Sequence, residues 1–220
     1  MKRIRIPFIA VAALLASCDK PAPPPADTAT AAPPPPPAAT TPAADAAPAN
    51  FRVRLETSKG PIVIELHRDW APNGVDRFFQ LVEAGYYDDV RFFRVVPGFV
   101  VQFGMHGDPQ TNAKWSAQPI TADPVKQSNK RGMVTFAQGA SPNSRTTQLF
   151  INLQDNVQLD QMSFSPIGQV VEGMSVVDAL HSGYGEAPSN EQPQIAAEGN
   201  AFLSRSYPKL DYVRTARVVK

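Results

Sequence analysis

Phe92-Phe93-Arg94-Val95-Val96-Pro97-Gly98-Phe99-Val100-Val101-Gln102 packs a strand, a turn and a second strand into eleven residues. It contains two strand-like runs, 92–96 and 99–103, with Pro97-Gly98 as the turn between them. Val100 and Gln102 share parity, so both side chains leave the second strand on one side. Taken singly, these residues carry no chemistry. An Arg between Phe93 and Val95 ordinarily faces solvent, a Phe such as Phe99 ordinarily belongs to a core, and a strand Gln is ordinarily exposed.

The surrounding chain repeats this punctuated pattern. Residues 51–57 alternate, with Phe51, Val53 and Leu55 on one face. Ser58-Lys59-Gly60 reads as a hairpin turn into a return strand over 61–67. Pro72 opens a helix that runs to about Ala84, with Val75, Phe78, Phe79 and Val82 as its apolar stripe and Gly85 after its end. Further strand-like runs cover 133–137, 148–153 and 165–171, and an alternating strand covers 212–219. A second helix spans 174–182. About eight short strands and two helices predict a mainly β fold: a closed eight-stranded antiparallel β-barrel with the two α-helices capping its open ends.

Three segments of this domain resemble the cyclophilin family of peptidyl-prolyl cis–trans isomerases. The first is the quoted stretch, with its Phe-x-Arg, two aliphatics, Pro-Gly-Phe and a Gln three residues later. The second is Phe136-Ala137-Gln138, then Asn143, then Thr147-Gln148-Leu149-Phe150-Ile151-Asn152. The third is Leu159-Asp160 followed by Phe164-Ser165-Pro166-Ile167-Gly168-Gln169 and onward to Met174. They occur in the family's order and spacing. The resemblance implies a cyclophilin-type barrel acting on X–Pro bonds. It assigns catalytic roles to Arg94, Phe99 and Gln102, and substrate contacts to Val100, Ala137, Gln138, Gln148, Phe150, Leu159 and Phe164.

The chemistry accounts for these residue types. An X–Pro bond isomerises over tens to hundreds of seconds because rotation must break amide conjugation, against a barrier of about 18–20 kcal/mol. At the twisted transition state the nitrogen lone pair becomes a better acceptor. A fixed cationic donor is then worth more than in the planar ground state. By resemblance that donor is Arg94, Gln102 holds the neighbouring carbonyl, and the Phe, Val and Leu residues form an apolar cup for the proline ring. No acid, base, nucleophile, metal or cofactor is required. A non-catalytic scaffold or chaperone that only binds Pro-containing segments is the alternative.

Several positions depart from the family's pattern. Phe103-Gly104-Met105 stands where many members have Gly-Gly-Asp, so Phe103 is expected to reshape the groove beside Gln102. Gln158 fills a position known for an indole, and Gln138 replaces a common Asn. Residues 106–130 and the tail 186–209 are unlike the short family loops. These departures bear on substrate preference.

Charge narrows the partners. The chain has 21 basic and 20 acidic residues, and from Phe51 onward there are 17 of each. A balanced domain without a basic stripe argues against nucleic-acid binding. His67, His106 and His181 lack ligand spacing to one another, so no metal site is expected. His67-Arg68-Asp69 echoes a kinase loop but has no companion motif, and reads as a strand end. Asp88-Asp89 reads as a hydrated loop.

The N-terminus reads as an address. Residues 1–17 carry three cations and then an apolar run too short to span a membrane. They end at Leu15-Ala16-Ser17-Cys18, which resembles a bacterial lipobox with Cys18, the chain's one cysteine, as the acylated residue. Residues 19–50 hold 11 Pro and 12 Ala in 32 positions. Such a stretch cannot bury a core and serves as a tether reaching at most ~100 Å. The expected organisation is a signal peptide over 1–17, a lipidated Cys18 and tether over 18–50, and an isomerase domain over 51–220. The product would be a monomeric, membrane-anchored lipoprotein of the bacterial cell envelope, facing the periplasm, with proline-containing polypeptides as substrates.

Overall fold

The structure, a computed structural model, describes residues 46–219. The signal segment, Cys18 and all but the last five residues of the tether lie outside the described residues. Packing begins at Ala47, whose side chain is buried and whose N–H donates to Asp76 Oδ1 at 3.0 Å.

Among the described residues nine strands form one antiparallel sheet. They are β1 (Asn50–Thr57), β2 (Pro61–His67), β3 (Val90–Arg91), β4 (Arg94–Val95), β5 (Val100–Phe103), β6 (Met133–Phe136), β7 (Leu149–Asn152), β8 (Pro166–Glu172) and β9 (Tyr212–Val219). Their spatial order is β3-β9-β1-β2-β8-β6-β7-β5-β4. The two end strands, β3 and β4, are separated in the chain only by Phe92 and Phe93. Three residue steps reach at most about 10 Å, so the sheet must curl until its ends meet. The mainly antiparallel barrel is thus as expected. The number of strands is nine rather than eight, and β3 and β4 close the curl through the chain instead of through a shared ladder.

The alternation read from the sequence is the alternation of burial. In β1, Phe51, Val53, Leu55 and Thr57 turn inward, in register with Leu66, Ile64 and Ile62 of β2 at the first three positions. Helix α1 (Pro72–Glu83) covers the core with Val75, Phe78, Leu81 and Val82. Pro72 sits in its first turn, where the missing N–H costs nothing. Among the described residues the helices number five rather than two. Besides α1 they are α2 (Pro109–Ser116), α3 (Met174–Asp178), α4 (Gln192–Glu198) and α5 (Asn200–Ser206).

Three apolar clusters result. The main one fills the sheet and the underside of α1. A second joins Phe93 and Met105 to Ile195, Phe202, Leu203 and Leu210 of the C-terminal segment, with Tyr184 and Tyr207 packed on it. The third is small and lies on the other face of β5 and β7: Val100, Phe150 and Leu159, with Phe99, Ala137 and Phe164 against them.

Phe103 corrects one expectation. It is fully buried in the main cluster, with ring centroids 5.2 Å from Phe92 and 5.8 Å from Tyr87. Its parity is opposite to that of Gln102, so its bulk points into the core and not into the groove. Gly104 follows with φ +106°, and a β-carbon there would stand 2.5 Å from the Thr147 carbonyl oxygen. Only glycine lets the backbone pass so close.

Candidate active site

The third cluster is the candidate site. Pro97 and Gly98 form the turn at its lip, with Phe99 N–H donating to Val96 O at 3.0 Å and Gly98 at φ +71°. Pro then Gly with positive φ is the sequence that a type II turn requires. The hairpin pairs Arg94 with Gln102, and β7 pairs Gln102 with Phe150. Cross-strand partners share a face. Arg94, Gln102 and Phe150 therefore stand side by side in one row.

Around that row is a cup of about 130 Å³ lined by Arg94, Phe99, Val100, Gln102, Ala137, Gln138, Phe150, Leu159 and Phe164. These are the residues that the family resemblance names, apart from Gln148. Phe150 and Phe164 meet edge to face at 5.6 Å. Gln148 lines an adjoining polar pocket of about 230 Å³ with Ser144, Thr146 and Gln192, and the two cavities share Gln102, Ala137 and Gln138. Gln158, at the indole position, is exposed and lines neither.

The polar groups at the rim are held in a defined order. Arg94 Nη1 donates to Gln102 Oε1 at 3.2 Å, and Gln102 Nε2 donates to Gln148 Oε1 at 2.9 Å. The guanidinium also lies over the Phe99 ring, 5.5 Å from its centroid. Gln138 Nε2 donates to Met162 O at 2.8 Å, while its buried Oε1 has no partner among the described residues.

Behind the cup is a polar scaffold that sequence reasoning missed. Asn129 donates to Asp160 Oδ1 and to Phe164 O, both at 2.8 Å, and accepts from Thr135 Oγ1 at 2.8 Å. Asn156 donates to Phe99 O at 3.0 Å and to Asn152 Oδ1 at 2.8 Å. The backbones of Phe99 and Phe164 are thus fixed from inside. Burial pushes the Asp160 carboxyl upward, but hydrogen bonds from Ser128 and from the Asn129 side chain and backbone outweigh it, leaving the group below its ordinary range. No local signal marks these asparagines, since each acts on a segment distant in sequence.

Two further corrections concern charged loops. Asp88 is not simply hydrated: it accepts from Arg217 Nη1 and Nη2, both at 2.7 Å, and from Ala216 N–H at 3.0 Å. The C-terminal segment, expected to bear on substrate preference as a tail unlike the family's loops, instead contacts Arg94 itself, because Glu186 accepts from Arg94 Nε at 3.2 Å and also from Nη2.

Comparison with known proteins gives concordant findings. The model of the family "Cyclophilin type peptidyl-prolyl cis-trans isomerase/CLD" matches residues 52–198. A peptidyl-prolyl cis-trans isomerase of Acinetobacter baylyi is 35% identical over 142 residues, covering 60% of this chain and 72% of that protein. Peptidyl-prolyl cis-trans isomerase B of Escherichia coli is 33% identical over 169 residues, covering 73% and 94%. Among solved structures, a Cryptosporidium parvum cyclophilin crystallised in the presence of the dipeptide Ala-Pro has a TM-score of 0.57 at 19% identity, covering 77% of this chain and 99% of that one. At that identity the likeness is one of fold.

Proposed function

The chain belongs to the cyclophilin-type peptidyl-prolyl cis–trans isomerases, and on that premise we propose that Arg94 carries the reaction on a proline seated in the cup beside it. The observation behind this reading is the contact of Arg94 with Gln102 at the rim of a cavity whose other walls, Gln138 apart, are apolar. Phe99, Val100, Phe150, Leu159 and Phe164 hold the ring while the acyl side rotates. Of the five guanidinium N–H groups, one is given to Gln102 and two to Glu186, which leaves two for substrate. As conjugation is lost, the proline nitrogen gains a lone pair that such a donor stabilises more strongly than it does the planar amide. Gln102 keeps a second amide hydrogen for a substrate carbonyl. The bond turns without any covalent change, so no general acid or base takes part. The Ala-Pro dipeptide present with the parasite cyclophilin supports proline-containing peptides as the substrate class.

Substitution Arg94→Ala in the full chain tests the mechanism. No other cation lines the cup among the described residues, so kcat/KM for an Ala-Pro peptide should fall about 10²–10³-fold, as when an oriented transition-state donor is lost. Full activity in that variant would refute the role given to Arg94. Peptide binding without any acceleration in the parent chain would favour the scaffold alternative.

The N-terminal pattern supports a cellular setting. We read the protein as anchored by lipid on Cys18 and tethered by 18–50, acting as a monomer on envelope proteins during their folding. Radiolabelled palmitate should enter the parent chain but not the Cys18→Ala variant; an unlabelled parent chain recovered in the soluble fraction would defeat the anchor.

A further inference from the structure

The C-terminal segment contributes to the site in a way that the family motifs do not contain. Arg94 begins a hydrogen-bonded circuit that leaves β4, crosses the polar pocket and returns through residues 186–192. Arg94 donates to Gln102, Gln102 to Gln148, and Gln148 Nε2 to Gln192 Oε1 at 2.9 Å. Gln192 Nε2 donates to Ser189 O at 3.3 Å, and Ser189 donates to Glu186 O from Oγ at 2.7 Å and from N–H at 2.9 Å. The Glu186 carboxylate then closes the circuit on Arg94 Nε and Nη2. Donors run from Arg94 through the three amides and Ser189 to Glu186, and Arg94 also donates directly to the Glu186 carboxylate, so both arms of the ring start at the guanidinium and end at Glu186.

This segment is seated independently of the circuit. Tyr184, two residues before Glu186, packs on the second cluster, which contains Phe93, the chain neighbour of Arg94. Tyr184 and Tyr207 meet at 5.1 Å, and Pro188 is buried. Strand β4 and the 184–192 segment are thus locked to each other by apolar packing, and the Glu186 side chain bridges the short distance that remains.

We propose that Glu186 is a positioning residue for Arg94. It holds the Nε/Nη2 edge of the guanidinium so that the remaining N–H groups face the cup. The assignment rests on the role given to Arg94 above. The Glu186 side chain is 55% exposed, so the pair adds little to fold stability, and water screens the carboxylate's pull on the guanidinium charge. What it supplies is a fixed orientation of a long, rotamer-rich side chain, and that lowers the barrier to reaching the transition state. The effect belongs in kcat and not in substrate affinity.

The test uses the full chain and an Ala-Pro peptide. Glu186→Ala should lower kcat about five- to tenfold with KM within twofold, and Glu186→Gln, which keeps an acceptor without the charge, should lie between it and the parent. The Arg94 Nε–H resonance should shift in Glu186→Gln. In an Arg94→Ala background, adding Glu186→Ala should cost nothing more, because the residue acts only through Arg94. Activity equal to or above the parent in Glu186→Ala would overturn the proposal, the latter outcome marking Glu186 as a competitor for Arg94. The same fivefold loss in the Arg94→Ala background would also overturn it. An Arg94→Ala variant with full activity refutes instead the underlying mechanism, so the two failures are distinguishable.

Discussion

Removing the carboxylate of Asp123 should cost more stability than removing its cationic partner. Asp123 and Arg145 form an ion pair at 3.2 Å with both side chains 1% exposed. The carboxylate also caps α1 from fifty residues away, accepting from Asn73 N–H at 3.0 Å and Gly74 N–H at 2.9 Å. In Asp123→Ala, Arg145 keeps only the Thr121 carbonyl through Nη2, while its Nε and Nη1 have no partner among the described residues. An uncompensated buried charge costs about 3–5 kcal/mol, and the lost cap adds about 1 kcal/mol. The total, about 4–6 kcal/mol, is a large share of the ~5–15 kcal/mol that a domain commands. Arg145→Met differs. The stranded carboxylate keeps two backbone donors at a helix N-terminus, which offsets about 2 kcal/mol and leaves a net cost of about 2 kcal/mol. Urea unfolding of the full chain, followed by Trp70 and Trp115 fluorescence, measures both. With a slope of ~2 kcal/mol/M, Asp123→Ala should lower the midpoint by about 2–3 M and Arg145→Met by about 1 M. Equal shifts, or a larger one for Arg145→Met, would refute the argument. The pair also supports the site. Arg145 bridges to Ile120 and precedes Thr146, a wall of the polar pocket.

Phe164→Ala removes one wall of the cup and its edge contact with Phe150. The expected loss in kcat/KM for an Ala-Pro peptide is about tenfold, roughly 1.4 kcal/mol of ring burial, carried by KM; a loss confined to kcat would contradict the seating role. Acid should destabilise the fold through Asp76 and Asp88. In each, burial raises the pKa, but hydrogen bonds and charge from Arg68 and Arg217, with the Ala47 and Ala216 N–H groups, bring it below the ordinary value. Depressed carboxylates contribute stability above the unfolded pKa of about 3.9 and lose it as pH falls through the folded values. The urea midpoint should therefore hold from pH 7 to about 5 and drop below about 4; a midpoint unchanged at pH 3 would contradict this.

Much of the architecture was legible along the chain. The strands read at 61–67 and 212–219 have the bounds of β2 and β9, and Pro72 starts α1. Period-two alternation, a proline at a helix start and a Pro-Gly turn are local physics, so their consequences appear locally. Helices α2, α4 and α5 carried no comparable stripe: α2 buries only Asn112 and α4 only Ile195. The cup was legible because its residues sit in short motifs with fixed spacing. Other features existed only in three dimensions. Strand order set the row Arg94–Gln102–Phe150. Packing on Phe93 carried Glu186, 92 positions from Arg94, to its guanidinium. Side-chain type and parity are written in sequence, whereas the partner of a charged group depends on which distant backbone the core brings beside it.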